Sequence, residues 1–369
     1  MSEKNIDIIT TEAIELLQQL IAVPSPSRQE DKTASLLENF LQQKGIPVKR
    51  LLNNIFCSNK FFDPLKPTVL LNSHHDTVAP NSNYTRNPYE ATIEDGRLYG
   101  LGSTDAGASL VSLAAAFLYF YEAGNLPYNI VFAASAEEEV SGINGIEKLF
   151  ADEAFKSLFG HNDSFAIVGE PTQLDLAIAE KGLMVIDCIA QGKPGHAARE
   201  EGDNALYKAM EAINWFKNYE FQRLSPALGK IKMTVTSVFT ENKAHNVVPA
   251  TCNFVVDIRI TDAYSHEEIL QEIKKQVNVE VKPRSTRLRS SSIPPSHPLV
   301  QAGIKLGKTT YGSPTTSDQA LIPLPSLKCG PGFSAQSHTA DEFVEIAEVK
   351  KAIPFYIEIL NAVFLSKVF

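Results

Sequence analysis

Seven residues able to do acid, base or metal chemistry stand at or just beyond the ends of uncharged runs: His74, Asp76, Asp105, Glu138, Glu139, Glu170 and His338. Two histidines with several carboxylates and no cysteine form a nitrogen and oxygen donor set that suits zinc or its neighbours in hydrolytic sites. The strongest signal is Asn129 to Gly142, where an apolar run stops at Glu137-Glu138-Glu139. Adjacent carboxylates repel, and burial raises the cost of keeping them charged, so such a cluster needs a cation or shares protons. For a glutamate triplet alone, the ordinary alternative is the solvated first turn of a helix, where acids suit the dipole. The other acids and histidines arriving at strand ends argue against it.

The elements that must position these groups follow from periodicity. Thr68–Leu71 reads as a short strand leading into Asn72-Ser73-His74-His75-Asp76, and Phe165–Val168 as another leading into Gly169-Glu170-Pro171-Thr172. Ahead of them, Ile14, Leu17, Leu20 and Ile21 recur at helical spacing after the capping candidates Thr10 and Thr11, and Pro24 ends the pattern. A second helix is predicted to open with a capping box, Ser27 with Glu30, and to stop at Gly45. Asp95-Gly96 marks a hairpin turn. Gly100 to Asp105 then enters an alanine-rich helix ending near Gly124; with no third glycine and no lysine at the needed spacing, this Gly-x-Gly is not a nucleotide loop. Alternating strands and helices predict an α/β sheet with sites at the strand ends. Around Leu183 the order becomes βαββαβ, the split motif of a ferredoxin-like unit. Residues 180–290 are therefore expected to be a domain inserted in a first domain of 1–179 and 291–369. The last helix is expected to reach Phe364, with a kink at Pro354.

At 369 residues the chain is long for one core, so two domains are the default. A net charge of −9 argues against nucleic acid or an anionic membrane as the main partner. Cys57, Cys188, Cys252 and Cys329 are scattered without Cys-x-x-Cys spacing and read as buried free thiols in a reducing compartment. Met1 to Ile9 lacks the pattern of a secretion signal, and the longest uncharged run, Ala106 to Tyr121, falls short of the roughly 20 residues of a membrane span. A cytoplasmic protein is expected.

Eight pieces in one order carry a resemblance: Pro24-Ser25-Pro26-Ser27 with Glu30, His74 to Pro80, Gly100 to Asp105, Glu137 to Glu139, Gly169 to Thr172, Gly195-His196, Asn246 to Pro249 with Arg259, and Ser337-His338-Thr339. Nearly the whole chain resembles the di-zinc deacylases and exopeptidases that include acetylornithine deacetylase, succinyl-diaminopimelate desuccinylase, aminoacylase and glutamate carboxypeptidase. The resemblance implies a zinc-peptidase-like catalytic domain, a mixed sheet flanked by helices, with a ferredoxin-like lid and dimerisation domain inserted in it. It implies two divalent ions, zinc or alternatively cobalt, one held by His74 and Glu170, the other by Glu139 and His338, with Asp105 bridging. Asp76 would hydrogen-bond the far nitrogen of His74 and fix its tautomer. Two ions sharing a water would lower its pKa from 15.7 towards roughly 7, and Glu138 would act as general base. His196, from the partner of a homodimer, would stabilise the oxyanion, while Asn246 and Arg259 would hold the substrate's carboxylate. Asp257, the ordinary partner for Arg259, is read as lying on the opposite strand face. The small basic run Arg284, Arg287 and Arg289 reads as solvated surface.

His75 competes with His74, and the His-x-Asp spacing selects His74; a base and ligand pair one residue earlier than Glu138 and Glu139 is the competing register. Relatives commonly carry arginine at the position of Leu101 and Met-Lys-Gly in place of Ala106-Gly107-Ala108, which leaves the ligands intact and opens the subfamily. The expected reaction is hydrolysis of an N-acyl amino acid, of the N-acetylornithine or N-acetylcitrulline type in arginine synthesis, on the Gly169–Thr172 and Ser337–Glu342 pieces. The alternatives are desuccinylation of N-succinylornithine or N-succinyl-diaminopimelate, and cleavage of dipeptides or C-terminal residues by the same site. A non-catalytic member would have lost Glu138 or a ligand, and this chain keeps them all.

Overall fold

The computed structural model describes residues 3–199 and 201–366. The chain forms two compact units: the first runs to Ile178 and adds Ser292–Tyr311 and the chain from Ser317, and the second comprises Ala179–Ser291 with Gly312–Thr316.

The strands of the main sheet are β1 (Lys49–Leu51), β2 (Asn54–Ser58), β3 (Thr68–His74), β4 (Asn129–Ser135), β5 (Phe165–Val168) and β6 (Leu176–Glu180), the last running from the first unit into the start of the second. They lie in the order β1-β2-β4-β3-β5, then the short strand Ser326–Lys328, then β6. In the centre β3 pairs in parallel with both β4 and β5, and β5 in parallel with the strand Ser326–Lys328. Strand β2 pairs antiparallel with β1 and with β4, so the sheet is mixed. Every residue of β3 and β4 is buried, as expected of parallel strands covered on both faces. Alternate residues feed separate cores. Val69, Leu71, Ile130 and Phe132 pack with helices α1 (Glu3–Ile21), α3 (Ala108–Phe120) and Ile346–Ser366, whereas Leu70, Val131 and Ala133 face Ile146, Leu149 and Phe155. Both strands thus end with a polar load that the sheet itself aims.

Two expectations fail near the N-terminus. Helix α1 begins by Glu3, so Thr10 and Thr11 are interior residues bonded to the carbonyls of Ile6 and Asp7 rather than caps. Ser27 and Glu30 form no capping box: α2 (Asp31–Gln43) has no side-chain cap, because both residues bond elsewhere. The Asp95-Gly96 turn is as expected, with φ of 49° and 80° joining Ile93–Glu94 to Arg97–Tyr99. The described helical segment apolar and long enough for a membrane, Ser103–Phe120, is 78% buried and belongs to the core. Pro354 sits inside the last helix, Ile346–Ser366.

The second unit runs β7 (Gly182–Gln191), α4 (Ala205–Asn218), β8 (Lys232–Phe239), β9 (Thr251–Ile260), α5 (His266–Gln276) and β10 (Glu280–Pro283). Its antiparallel sheet has the order β8-β9-β7-β10, the arrangement of a ferredoxin-like unit. Burial alternates strictly along β7 and β9 because only one face meets the helices, through Ala209, Phe216, Ile269 and Ile273. Strand β8 is an edge, with Val238 and Phe239 51% and 55% exposed. The four cysteines are free and buried, two in each unit; burial pushes the Cys188 and Cys329 thiols up to about 12.

Candidate active site

His74 closes β3. Its Nδ1 lies 2.9 Å from the backbone carbonyl of Asp76, an acceptor only, so Nδ1 carries the proton and neutral His74 has its lone pair on Nε2. That Nε2 lies 3.2 Å from Asp105 Oδ1 and 3.9 Å from Glu138 Oε2. The expected tautomer lock is thus mainly the Asp76 carbonyl, with Asp76 Oδ1 standing off at 3.4 Å. The Asp76 carboxylate is occupied differently: it accepts the amides of Glu138 (3.0 Å) and Glu139 (3.1 Å) and the Ser27 hydroxyl (2.7 Å). It therefore ties the end of β3 to the turn that follows β4.

That turn decides which glutamates reach the cluster. Glu137 adopts φ +56° and turns away, its carboxylate accepting from Asn144 while buried Glu30 accepts its amide. Glu138 and Glu139 face the histidines. His75 points elsewhere: its Nε2 donates to the Asn53 carbonyl, its Nδ1 meets the Thr33 hydroxyl, and burial lowers its pKa. It is a neutral structural histidine.

Two groups of three donors result, each with its donor atoms within 4.8 Å of one another: His74, Asp105 and Glu170, and Asp105, Glu139 and His338. Asp105 belongs to both, with Oδ2 3.6 Å from His338 Nε2, which in turn lies 2.9 Å from Glu139 Oε2. Burial and the Asp105 charge push Glu170 up to about 8. Burial likewise drives Glu138 well above the carboxylate range. Burial opposes a charge on His74 but is outweighed by Glu138, Asp105 and Asp76, so its pKa rises, while the hydrogen bond to Glu139 brings His338 to about 9. The protein alone is thus short of positive charge here and fills the deficit with protons. Divalent ions fit the set: the donors are oxygens and imidazole nitrogens, and Glu139 Oε1 is buried with no hydrogen-bond partner among the described residues.

The remaining expected residues belong to the second unit. Gly195–His196 pairs antiparallel with Val247–Val248, and the Ala197 amide donates to the Asn246 carbonyl at 2.9 Å, which brings His196 and Asn246 together on an exposed loop pair. Arg259 corrects its expectation. Asp257, two residues away, shares its strand face, and the two form a bidentate pair at 2.8 and 3.0 Å. Arg284 likewise pairs with Asp187.

Two acids went unassigned in the sequence. Asp318 is buried, accepts hydrogen bonds from Asn72 on β3 and Ser135 on β4, and is pushed up to about 6 by burial. Glu342 lies under the Asp105 loop. Neither ends a long apolar run, so the pattern that exposed the others passed over them.

A family model described as peptidase family M20/M25/M40 matches residues 70–362, and the chain belongs to that family. It is a metal-dependent amidohydrolase acting on linear amides. Similar proteins include succinyl-diaminopimelate desuccinylases from Cereibacter sphaeroides, 24% identical over 95% of this chain and 98% of the relative, and from Roseobacter denitrificans, 27% identical over 80% and 83%. Among solved structures, the M20 family metallo-carboxypeptidase Sso-CP2 of Sulfolobus solfataricus superposes with a TM-score of 0.74 at 17% identity, covering 99% of this chain and 100% of that one. The Bacillus subtilis YXEP protein, described as a dinuclear metal-binding peptidase from M20 family, has a TM-score of 0.71 at 16% identity, covering 98% and 100%.

Proposed function

We propose that the protein hydrolyses the amide of an N-succinyl amino acid of the diaminopimelate type, using two divalent ions held by His74 and Glu170 on one side, Glu139 and His338 on the other, and Asp105 between. The observation that carries the hydrolytic part is the pair of donor groups sharing Asp105 with Glu138 alongside. The acyl group rests on the desuccinylases to which nearly the full chain is similar. This displaces the N-acetylornithine or N-acetylcitrulline reading to second place, where the Gly169–Thr172 and Ser337–Glu342 pieces still favour it.

Bound ions, zinc or cobalt, supply Lewis acidity that polarises the amide carbonyl and acidifies a water. Glu138, alongside the donor groups, would take the proton of the attacking water at its carboxylate and return it to the leaving nitrogen. Asp76 holds the Glu138 and Glu139 amides so that base and ligand keep their places. His196 of the partner subunit would donate to the developing oxyanion, and Asn246 with the N–H groups of Arg259 not used by Asp257 would hold the substrate's carboxylate.

A homodimer through the second unit is part of the proposal. Val238 and Phe239 are exposed on edge strand β8, and Tyr207 and Met210 on α4, apolar side chains that a second copy would cover. Sedimentation equilibrium returning only the 40.5 kDa monomer mass would remove the dimer.

The experiment for the reaction is steady-state hydrolysis by zinc- or cobalt-loaded protein of N-succinyl-diaminopimelate, N-succinylornithine, N-acetylornithine, N-acetylcitrulline and a few dipeptides. The expected result is the highest kcat/KM on a succinyl substrate, lost on chelation. An acetyl substrate ahead of both succinyl ones would restore the second reading, and silence across the panel from protein holding two ions would overturn the proposal.

A further inference from the structure

Glu342 is 1% exposed, yet its carboxylate has no cationic partner among the described residues. It accepts three backbone amides instead: Gly102 at 3.0 Å on Oε2, and Thr104 at 2.8 Å and Asp105 at 3.0 Å on Oε1. Its own carbonyl accepts the Gly100 amide at 2.9 Å, and the Thr104 hydroxyl donates to the next carbonyl, that of Phe343. Three of the four residues from Gly102 to Asp105 are thus tied to this one side chain, and Gly100 to its backbone. The loop is built for it: Gly102 has φ +76°, and a Cβ there would meet Thr77 at 2.6 Å.

Glu342 is also four residues beyond His338 in the same segment. Its neighbour Asp341 accepts the amides of Thr85 and Arg86, both at 2.9 Å, which fixes the segment from the outside. A hydrogen-bonded stretch of chain therefore joins His338 to the backbone of Asp105, whose carboxylate stands with His338 in the second donor set.

We infer that Glu342 is the positioning residue of the bridge: it fixes where Asp105 stands relative to His338, and so whether two ions can be held at once. This rests on the two-ion reading above. Burying a carboxylate against three amides is a costly way to stabilise an ordinary loop, because the charge must be kept out of water. It is an effective way to immobilise a shared ligand, since groups that orient a ligand typically change metal affinity or activity by about 10–100-fold when removed.

The test is a cobalt titration of metal-free wild type and Glu342→Gln, followed by visible absorption and calorimetry, with circular dichroism confirming folded protein. The amide keeps the shape but turns one acceptor into a donor facing a backbone N–H. Wild type should take up two equivalents; Glu342→Gln should bind its weaker equivalent ~10–100-fold less tightly, with an altered cobalt spectrum. Its kcat should fall by a similar factor, with KM within ~3-fold. Should Glu342→Gln not fold, Glu342→Asp, which keeps the charge but shortens the reach, is read the same way. Two equivalents bound with wild-type affinity and spectrum in either folded variant would overturn the inference. Wild type taking up one equivalent would instead overturn the two-ion reading, and the inference with it.

Discussion

The two donor groups that share Asp105 are built by opposite means. His74 is 1% exposed, belongs to a fully buried parallel strand, and has its ring fixed by the Asp76 carbonyl before any ion arrives. His338 has a 54% exposed side chain, stands at φ +59° in a loop, and owes its position to Glu139 on one side and the Asp341–Glu342 anchor on the other. Strand ends give one half its geometry through the folding of the core; in the other a strand end delivers Glu139, but His338 is placed by hydrogen bonds that the core does not supply. The difference predicts that the His74 side couples to stability and the His338 side to metal supply.

The largest effect concerns neither half, but the group beside them. Glu138→Gln should lower kcat by ~10²–10⁴-fold while both ions stay bound, checked by elemental analysis beside kinetics; an active variant would remove Glu138 as the base. The next separates the halves. His74→Ala and His338→Ala should both weaken metal binding, but in metal-free protein His74→Ala should cost about 1–3 kcal/mol of unfolding free energy and His338→Ala within ~0.5. Equal losses in urea melts would abolish the distinction.

The smallest effect is a pH dependence. In metal-free protein Glu170 holds its proton to about pH 8 and His338 to about pH 9. Both pKa values are raised on folding, so the stability they contribute is present in full below the unfolded values and is lost as pH rises through about 8 and 9. Ions bind the deprotonated donors, so loading at pH 7 should release the protons of Glu170 and His338 together with that of His74, and fewer as the pH passes 9. Calorimetry in buffers of different ionisation enthalpy measures that number; no release at pH 7 would contradict the proton-filled cluster.

Much of this was legible in the chain because strands of uncharged residues ending in acids or histidines are a one-dimensional signal. Thr68–His74, Asn129–Ser135 and Phe165–Val168 deliver His74, Glu138 with Glu139, and Glu170, and the βαββαβ order of the second unit reads directly from its periodicity. What failed depended on partners remote in sequence. Ser27 and Glu30 have the spacing of a capping box, but Ser27 bonds Asp76, 49 residues away, and Glu30 bonds Glu137, 107 away. Glu342 reaches back 237 residues to the amide of Asp105. Arg259 and Asp257 are the reverse case, a local pair missed because side chains two apart on a strand share a face.

The buried cysteines give the molecule a built-in pair of opening clocks. Thiols at Cys57 and Cys329 report on the first unit and those at Cys188 and Cys252 on the second, and desolvation keeps all four in the unreactive protonated form while the fold is closed. Alkylation timed by mass spectrometry therefore counts excursions of each unit separately, without any label being introduced. Metal should slow the Cys57 and Cys329 clock, because each ion anchors residues that the first unit must release in order to open.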